Sequence, residues 1–132
     1  MDKKSILSLS ILGLFMLGII GYQVYRAFPS HSELEAGKHV ENVLVCMVND
    51  AYMGVEQIPV EVEGKTYYGC CEMCEAKLKD SIDYRYATDP FTGEKVDKAE
   101  AYIVLQSSSD IGIHYFKSEE NYEAYARKQQ DR

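Results

Sequence analysis

Positive charge is scarce in this chain. Its 132 residues carry 14 Lys and Arg against 21 Asp and Glu, a net charge of -7, and beyond residue 26 the balance is 11 to 20. A surface that follows phosphates needs a basic face, so nucleic acid is excluded as a partner. The same shortage argues against a body that clings to anionic lipid. Also missing are a Ser-His-Asp order, a phosphate-binding loop and a paired-carboxylate motif, which removes support for hydrolytic and phosphoryl-transfer enzymes. Internal repeats and low-complexity runs are absent too. What is present is an apolar fraction of 46%, enough for one compact core, under an acidic surface suited to meeting cations.

Charge is absent altogether from Ser5 to Tyr25. At about 1.5 Å per helical residue this Leu- and Ile-rich run reaches roughly 30 Å, the thickness of a bilayer core. Residues 5–25 are therefore expected to form a single transmembrane helix, with Tyr22 and Tyr25 near one interface. Lys3 and Lys4 precede the run and keep the N-terminus cytoplasmic, which places the body on the extracytoplasmic side, periplasmic or extracellular, of the cell membrane. A cleaved secretory signal has the same charge order, but residues 21–26 offer no convincing small-residue cleavage site. The anchor is the preferred reading, and either version exports the body.

The expected organisation is a cytoplasmic start and anchor over residues 1–26, a polar tether over 27–39 containing Pro29 and Gly37, and a domain over 40–130. The domain reads as α+β. The run Val40–Val48 suggests a strand. Ile58, Val60 and Val62 alternate with polar residues and lead through Glu63-Gly64 into Thr66-Tyr67-Tyr68, a β-hairpin, with Pro59 marking an edge or a strand start. Cys71, Cys74 and Leu78 share one face of a short helix. Residues 87–97 are rich in turn signals, through Asp89-Pro90 and Gly93, and read as an exposed loop. Two further strands follow, over residues 99–106 and 111–116, and Ser118 caps a terminal helix with Glu119 and Glu120 in its first turn and Arg127 and Lys128 in its last.

Chemistry concentrates in four cysteines. Cys70, Cys71 and Cys74 stand at the junction of hairpin and helix, and Cys46 lies in the preceding strand. A strand end, a hairpin end and a helix start are able to converge on one point, and a helix N-terminus favours the thiolate that binds metal. Sulfur ligands select soft ions, Cu(I) or Zn(II), over Mg(II) and Ca(II). Met47 and Met53 are candidate thioether ligands that tilt the choice toward copper, since structural zinc uses Cys and His. His114 is a further candidate, although a lone strand His is more often packed than ligating. Disulfide bonding is the plain alternative for cysteines in an exported domain. Another is thiol-disulfide exchange, resting on the C-x-x-C formed by Cys71 and Cys74.

The pattern VCMV...GKTYYGCCEMC resembles the TRASH and YHS group of small heavy-metal-binding domains, which join an early Cys to an aromatic strand running into C-x3-C at a helix start, in a treble-clef-like fold. That resemblance implies ligand positions for Cys46, Cys70 and Cys74. Cys71 departs from the group, which commonly has a small polar residue there, and it competes as a fourth ligand. The later half is similar to the NosL family of copper-binding accessory proteins: Asp89, Thr92 and Gly93 stand in its D-x-x-T-G turn, Ala101, Tyr102 and Val104 in its A-x-Y-V strand, and Phe116, Ser118 and Glu120 in its F-x-S-x-E helix start. Together the two resemblances imply a membrane-anchored copper-trafficking or copper-sensing protein that exchanges its ion with an exported or membrane partner. A zinc-stabilised interaction module and a thiol-disulfide exchange protein are the alternatives.

Overall fold

The computed structural model describes residues 16–19, 22–23 and 34–131. The chain divides into two units, Met1–Glu33 and Leu34–Arg132. In the first, the described residues 16–19 and 22–23 are helical. No helix among the described residues is long and apolar enough to cross a membrane. That finding corrects both the transmembrane helix expected over residues 5–25 and the single-pass cell-membrane placement with an extracytoplasmic body. The rest of the expected span lies outside the described residues.

The second unit is α+β, as expected, and is assembled from antiparallel two-stranded ribbons. Strands β1 (Val45–Cys46) and β2 (Ala51–Tyr52) pair, as do β3 (Ile58–Val62) with β4 (Lys65–Gly69), β5 (Tyr86–Thr88) with β6 (Lys95–Asp97), and β7 (Tyr102–Leu105) with β8 (Ile113–Phe116). Helix α1 is Glu72–Asp80 and helix α2 is Glu119–Gln130. The shared core contains Val45, Met47, Val60, Tyr67, Leu78 and Ile103.

Local chemistry explains each piece that positions the site. The β3–β4 hairpin closes through Glu63 and Gly64 with φ of 53° and 78°, the two left-handed residues of a type I′ turn, whose twist matches the strands it joins. Val60 and Tyr67 face each other across this ribbon and are both buried. Cys71 is the N-cap of α1, with Glu72 and Glu75 in the first turn and Lys77 and Lys79 in the last, the arrangement the helix dipole favours. Cys74 and Leu78, one turn apart, form its buried face. The helix seats closely on β4 because Gly69 has no side chain: a Cβ there would stand 2.9 Å from Cys74 Cβ.

Two stretches differ from the reading of their residues. The run from Val40 is a strand only at Val45–Cys46; Asn42–Leu44 forms a 3-10 turn, and Asn42 Nδ2 donates to Ala99 O at 3.0 Å. The expected loop 87–97 is instead the β5–β6 hairpin. Its turn is ordered by Asp89, fully buried, whose Oδ1 accepts from Phe91 N at 2.7 Å and Thr92 N at 3.2 Å. Asp89 Oδ2 accepts from Lys117 N at 2.9 Å and from Asn121 Nδ2 at 2.8 Å, tying the turn to the start of α2. Burial opposes ionisation of this carboxyl, but the four donors outweigh it and hold its pKa below the ordinary value. Residues 37–40 run along β7, with Gly37 N donating to Leu105 O at 2.8 Å and Val40 N to Ile103 O at 3.0 Å. Ser118 caps α2 as expected, accepting from Asn121 N at 3.3 Å.

Candidate metal centre

Three elements end at one place and each delivers a sulfur. Cys46 comes from the end of β1, Cys70 from the junction after β4, and Cys74 from the first turn of α1. Their three sulfur atoms all lie within 4.8 Å of one another. Cys74 Sγ is 3.9 Å from Cys46 Sγ and 3.6 Å from Cys70 Sγ. Thiolates held about 2.3 Å from a single ion stand roughly 3.8 to 4.0 Å apart, in tetrahedral or trigonal geometry. Closing this set around an ion therefore needs only small side-chain adjustments, and the group is able to hold a soft metal ion. All four cysteines are free thiols.

Strand and helix backbones supply the electrostatics. Met47 N donates to Tyr68 O at 2.9 Å, fastening the turn after β1 to β4 and so holding Cys46 beside Cys70. Cys46 is fully buried, and burial works against its thiolate. The N–H groups of Asn49, Cys70 and Val48, with the Cys70 thiol, more than compensate and lower its pKa. Cys70 is raised, chiefly by the neighbouring Cys46 sulfur. Burial, then the thiols of Cys71 and Cys70 and the charge of Cys46, push Cys74 up to about 12. The exposed Cys71 is lowered, first by the backbone N–H of Cys74 and then by the Cys74 thiol. Protons are thus unevenly shared, and a cation in the centre would displace those held on Cys70 and Cys74.

Cys71 Sγ lies 3.4 Å from Cys74 Sγ but outside the set of three that converge. Met47 is fully buried in the core with Val45, Val60 and Tyr67. Met53 follows β2 with its side chain substantially exposed. His114 stands in β8 among rings, edge-on to Phe116 and Tyr125 with centroids 6.2 Å away in both cases, and burial lowers its pKa. His114 does not belong to the converging group of Cys46, Cys70 and Cys74. His39 stacks on Tyr102 at 4.3 Å.

The residues behind the centre escaped the sequence reading. Lys98, with its side chain 4% exposed, donates through Nζ to Met47 O at 2.7 Å and pairs with Asp50 Oδ1. Tyr115 OH donates to the same carboxylate oxygen at 3.0 Å. Asp50 has φ of 50°, so this pair of donors braces a left-handed residue at the end of the turn that carries Cys46. Asn49 Nδ2 faces Cys70 Sγ at 3.5 Å. A lysine and an aspartate 48 positions apart carry no local signal; only the Cys46–Asp50 spacing hints at a tight turn.

No family model, curated protein or solved structure matches this chain.

Proposed function

We propose that this domain is a carrier or sensor of a soft metal ion, with Cu(I) as its cargo, bound by Cys46, Cys70 and Cys74. The observation that carries the reading is the convergence of three sulfurs from three separate elements within 4.8 Å. Three thiolates complete a trigonal site for Cu(I), whereas structural zinc is held by four protein ligands. The backbone N–H groups around Cys46 favour the thiolate that either ion requires. The likeness to TRASH, YHS and NosL proteins in the Cys spacing and the later half belongs to the same proposal, as does a partner that gives or receives the ion. Zn(II), as the ion of a stabilised interaction module on the same three sulfurs, is the next version.

The test is an oxygen-free titration of the reduced chain with Cu(I) and, separately, with Zn(II), each against a competing chelator. One equivalent of Cu(I) is expected to bind, with loss on Cys70→Ser or Cys74→Ser. Because protons must leave Cys70 and Cys74, affinity should fall as pH falls. Binding that survives both substitutions together would contradict the reading.

A second reading has its own observation. Cys71 is exposed with a lowered pKa, and Cys74, 3.4 Å away, is buried with a raised one, the asymmetry of a nucleophilic and a resolving thiol. A disulfide-exchange assay separates the two: turnover abolished by Cys71→Ser in a chain without metal affinity would favour exchange chemistry.

A further inference from the structure

The two chemistries meet at one atom. Cys74 Sγ belongs to the three-sulfur set and is also the nearest partner of Cys71, at 3.4 Å. A sulfur cannot ligate the ion at full strength and sit in a disulfide at the same time. Accessibility is unequal as well: Cys46 and Cys74 are buried, Cys70 is half-buried, and Cys71 is exposed at the N-cap of α1. Cys70 is engaged from two sides, by Cys74 Sγ at 3.6 Å and by Asn49 Nδ2 at 3.5 Å. A disulfide reagent arriving from solvent therefore meets Cys71 first.

We infer that Cys71 is a redox-sensitive modification site that controls release of the ion, its substrate being a small-molecule disulfide. This inference rests on the metal-binding reading. The Cys71 sulfur attacks one sulfur of the reagent; the reagent's S–S bond breaks, and the departing thiolate takes up the proton that Cys71 gives away. Cys74 then leaves the ion and attacks the Cys71 sulfur of the mixed disulfide, expelling the second small thiolate. Two electrons pass from the Cys71–Cys74 pair to the reagent, whose second thiolate takes its proton from solvent, since Cys74 gave up its own on binding the ion. The ion is left with Cys46 and Cys70 alone and departs to the strongest acceptor in solution. The competition runs both ways: an occupied centre keeps Cys74 from resolving the mixed disulfide, so bound metal slows oxidation.

Substitution of Cys71 removes an exposed thiol outside the converging set, so folding and loading should survive it. The experiment loads the full chain and Cys71→Ser with Zn(II), a redox-silent probe, and confirms about one equivalent on each after gel filtration. Oxidised glutathione is then added with a chromogenic zinc chelator, and disulfides are mapped by peptide mass. The unsubstituted chain is expected to release its zinc in step with a Cys71–Cys74 disulfide, and Cys71→Ser to release it at least about tenfold more slowly. A metal-free sample should oxidise faster than the loaded one. Equal release rates in the two chains, or a Cys46–Cys70 or Cys70–Cys74 disulfide accompanying release, would overturn the inference while leaving the metal-binding reading intact. A chain that retains no zinc and takes no Cu(I) in the parallel titration would overturn both.

Discussion

Two regions of the folded unit place a candidate ligand among soft or aromatic side chains, and only one of them makes a centre. At the sulfur end, β1, the β4–α1 junction and α1 each contribute one thiol to the same few ångströms. On the face shared by β8 and α2, His114 stands alone among Phe116, Tyr122 and Tyr125 beside a cavity of about 440 Å³. Burial lowers its pKa, which suits a ligand, yet among the described residues His114 belongs to no group of three or more converging His, Cys, Asp or Glu donors. Ligand chemistry alone is therefore a weak sign of a site. Convergence of several such groups from separate elements is a strong one, because three distant stretches of chain must be folded to the same point to achieve it.

The largest difference between the two regions should appear on losing one ligand. A structural thiolate site gathers about 10 to 16 kcal/mol from its ligands, so Cys74→Ser is expected to weaken Cu(I) or Zn(II) binding by roughly 100- to 1000-fold. His114→Ala should leave that affinity within about twofold. A metal titration of the two variants decides it, and a comparable loss in both would dissolve the contrast.

The aromatic side should respond in stability instead. Asp89→Ala removes the acceptor of four donors, two in the β5–β6 turn and two at the start of α2, and should cost about 3 kcal/mol in denaturant unfolding, with metal affinity of the folded chain unchanged. The folded pKa of Asp89 is depressed, so its contribution is fully present above the unfolded carboxylate pKa and is lost as pH falls through the folded value. Asp89→Asn should accordingly flatten the acid limb of the stability profile.

Gly69→Ala probes the packing that joins fold to centre. Its Cβ meets Cys74 Cβ at 2.9 Å, so α1 must lift from β4, at about 1 to 3 kcal/mol of stability. Metal affinity should fall as well, because Cys74 moves with the helix. Unchanged affinity would show that the centre tolerates a displaced α1. The smallest effect is a gain: Glu63→Asn, at φ of 53° in the type I′ turn, should stabilise the chain by ~0.5 kcal/mol, measured as a raised unfolding midpoint.

Much of the centre was legible because it is local. Cys70, Cys71 and Cys74 lie within five positions, and the Glu63-Gly64 turn signal sets β3 against β4 in a single register. Met47 adjoins Cys46 in sequence, and its complete burial in the core is not announced by that adjacency. The β5–β6 hairpin reads as a loop because Pro90 and Gly93 are generic breakers, while half of the hydrogen bonds on the Asp89 carboxylate come from Lys117 and Asn121, distant in sequence. Lys98 was invisible for the opposite reason. Lysine ordinarily marks a surface, and only the fold shows it buried against Met47 O and Asp50. The uncharged run 5–25 matched the length of a bilayer core, but length and hydropathy describe only a capacity to span.

The central claim is that three cysteine sulfurs close on one ion. X-ray absorption spectroscopy at the metal edge of the loaded, reduced chain tests it most directly. The account predicts a first shell of three sulfurs at about 2.3 Å, reduced in number when Cys46, Cys70 or Cys74 is replaced by Ser. A first shell made of nitrogen and oxygen, or a sulfur shell unchanged by those replacements, would contradict it.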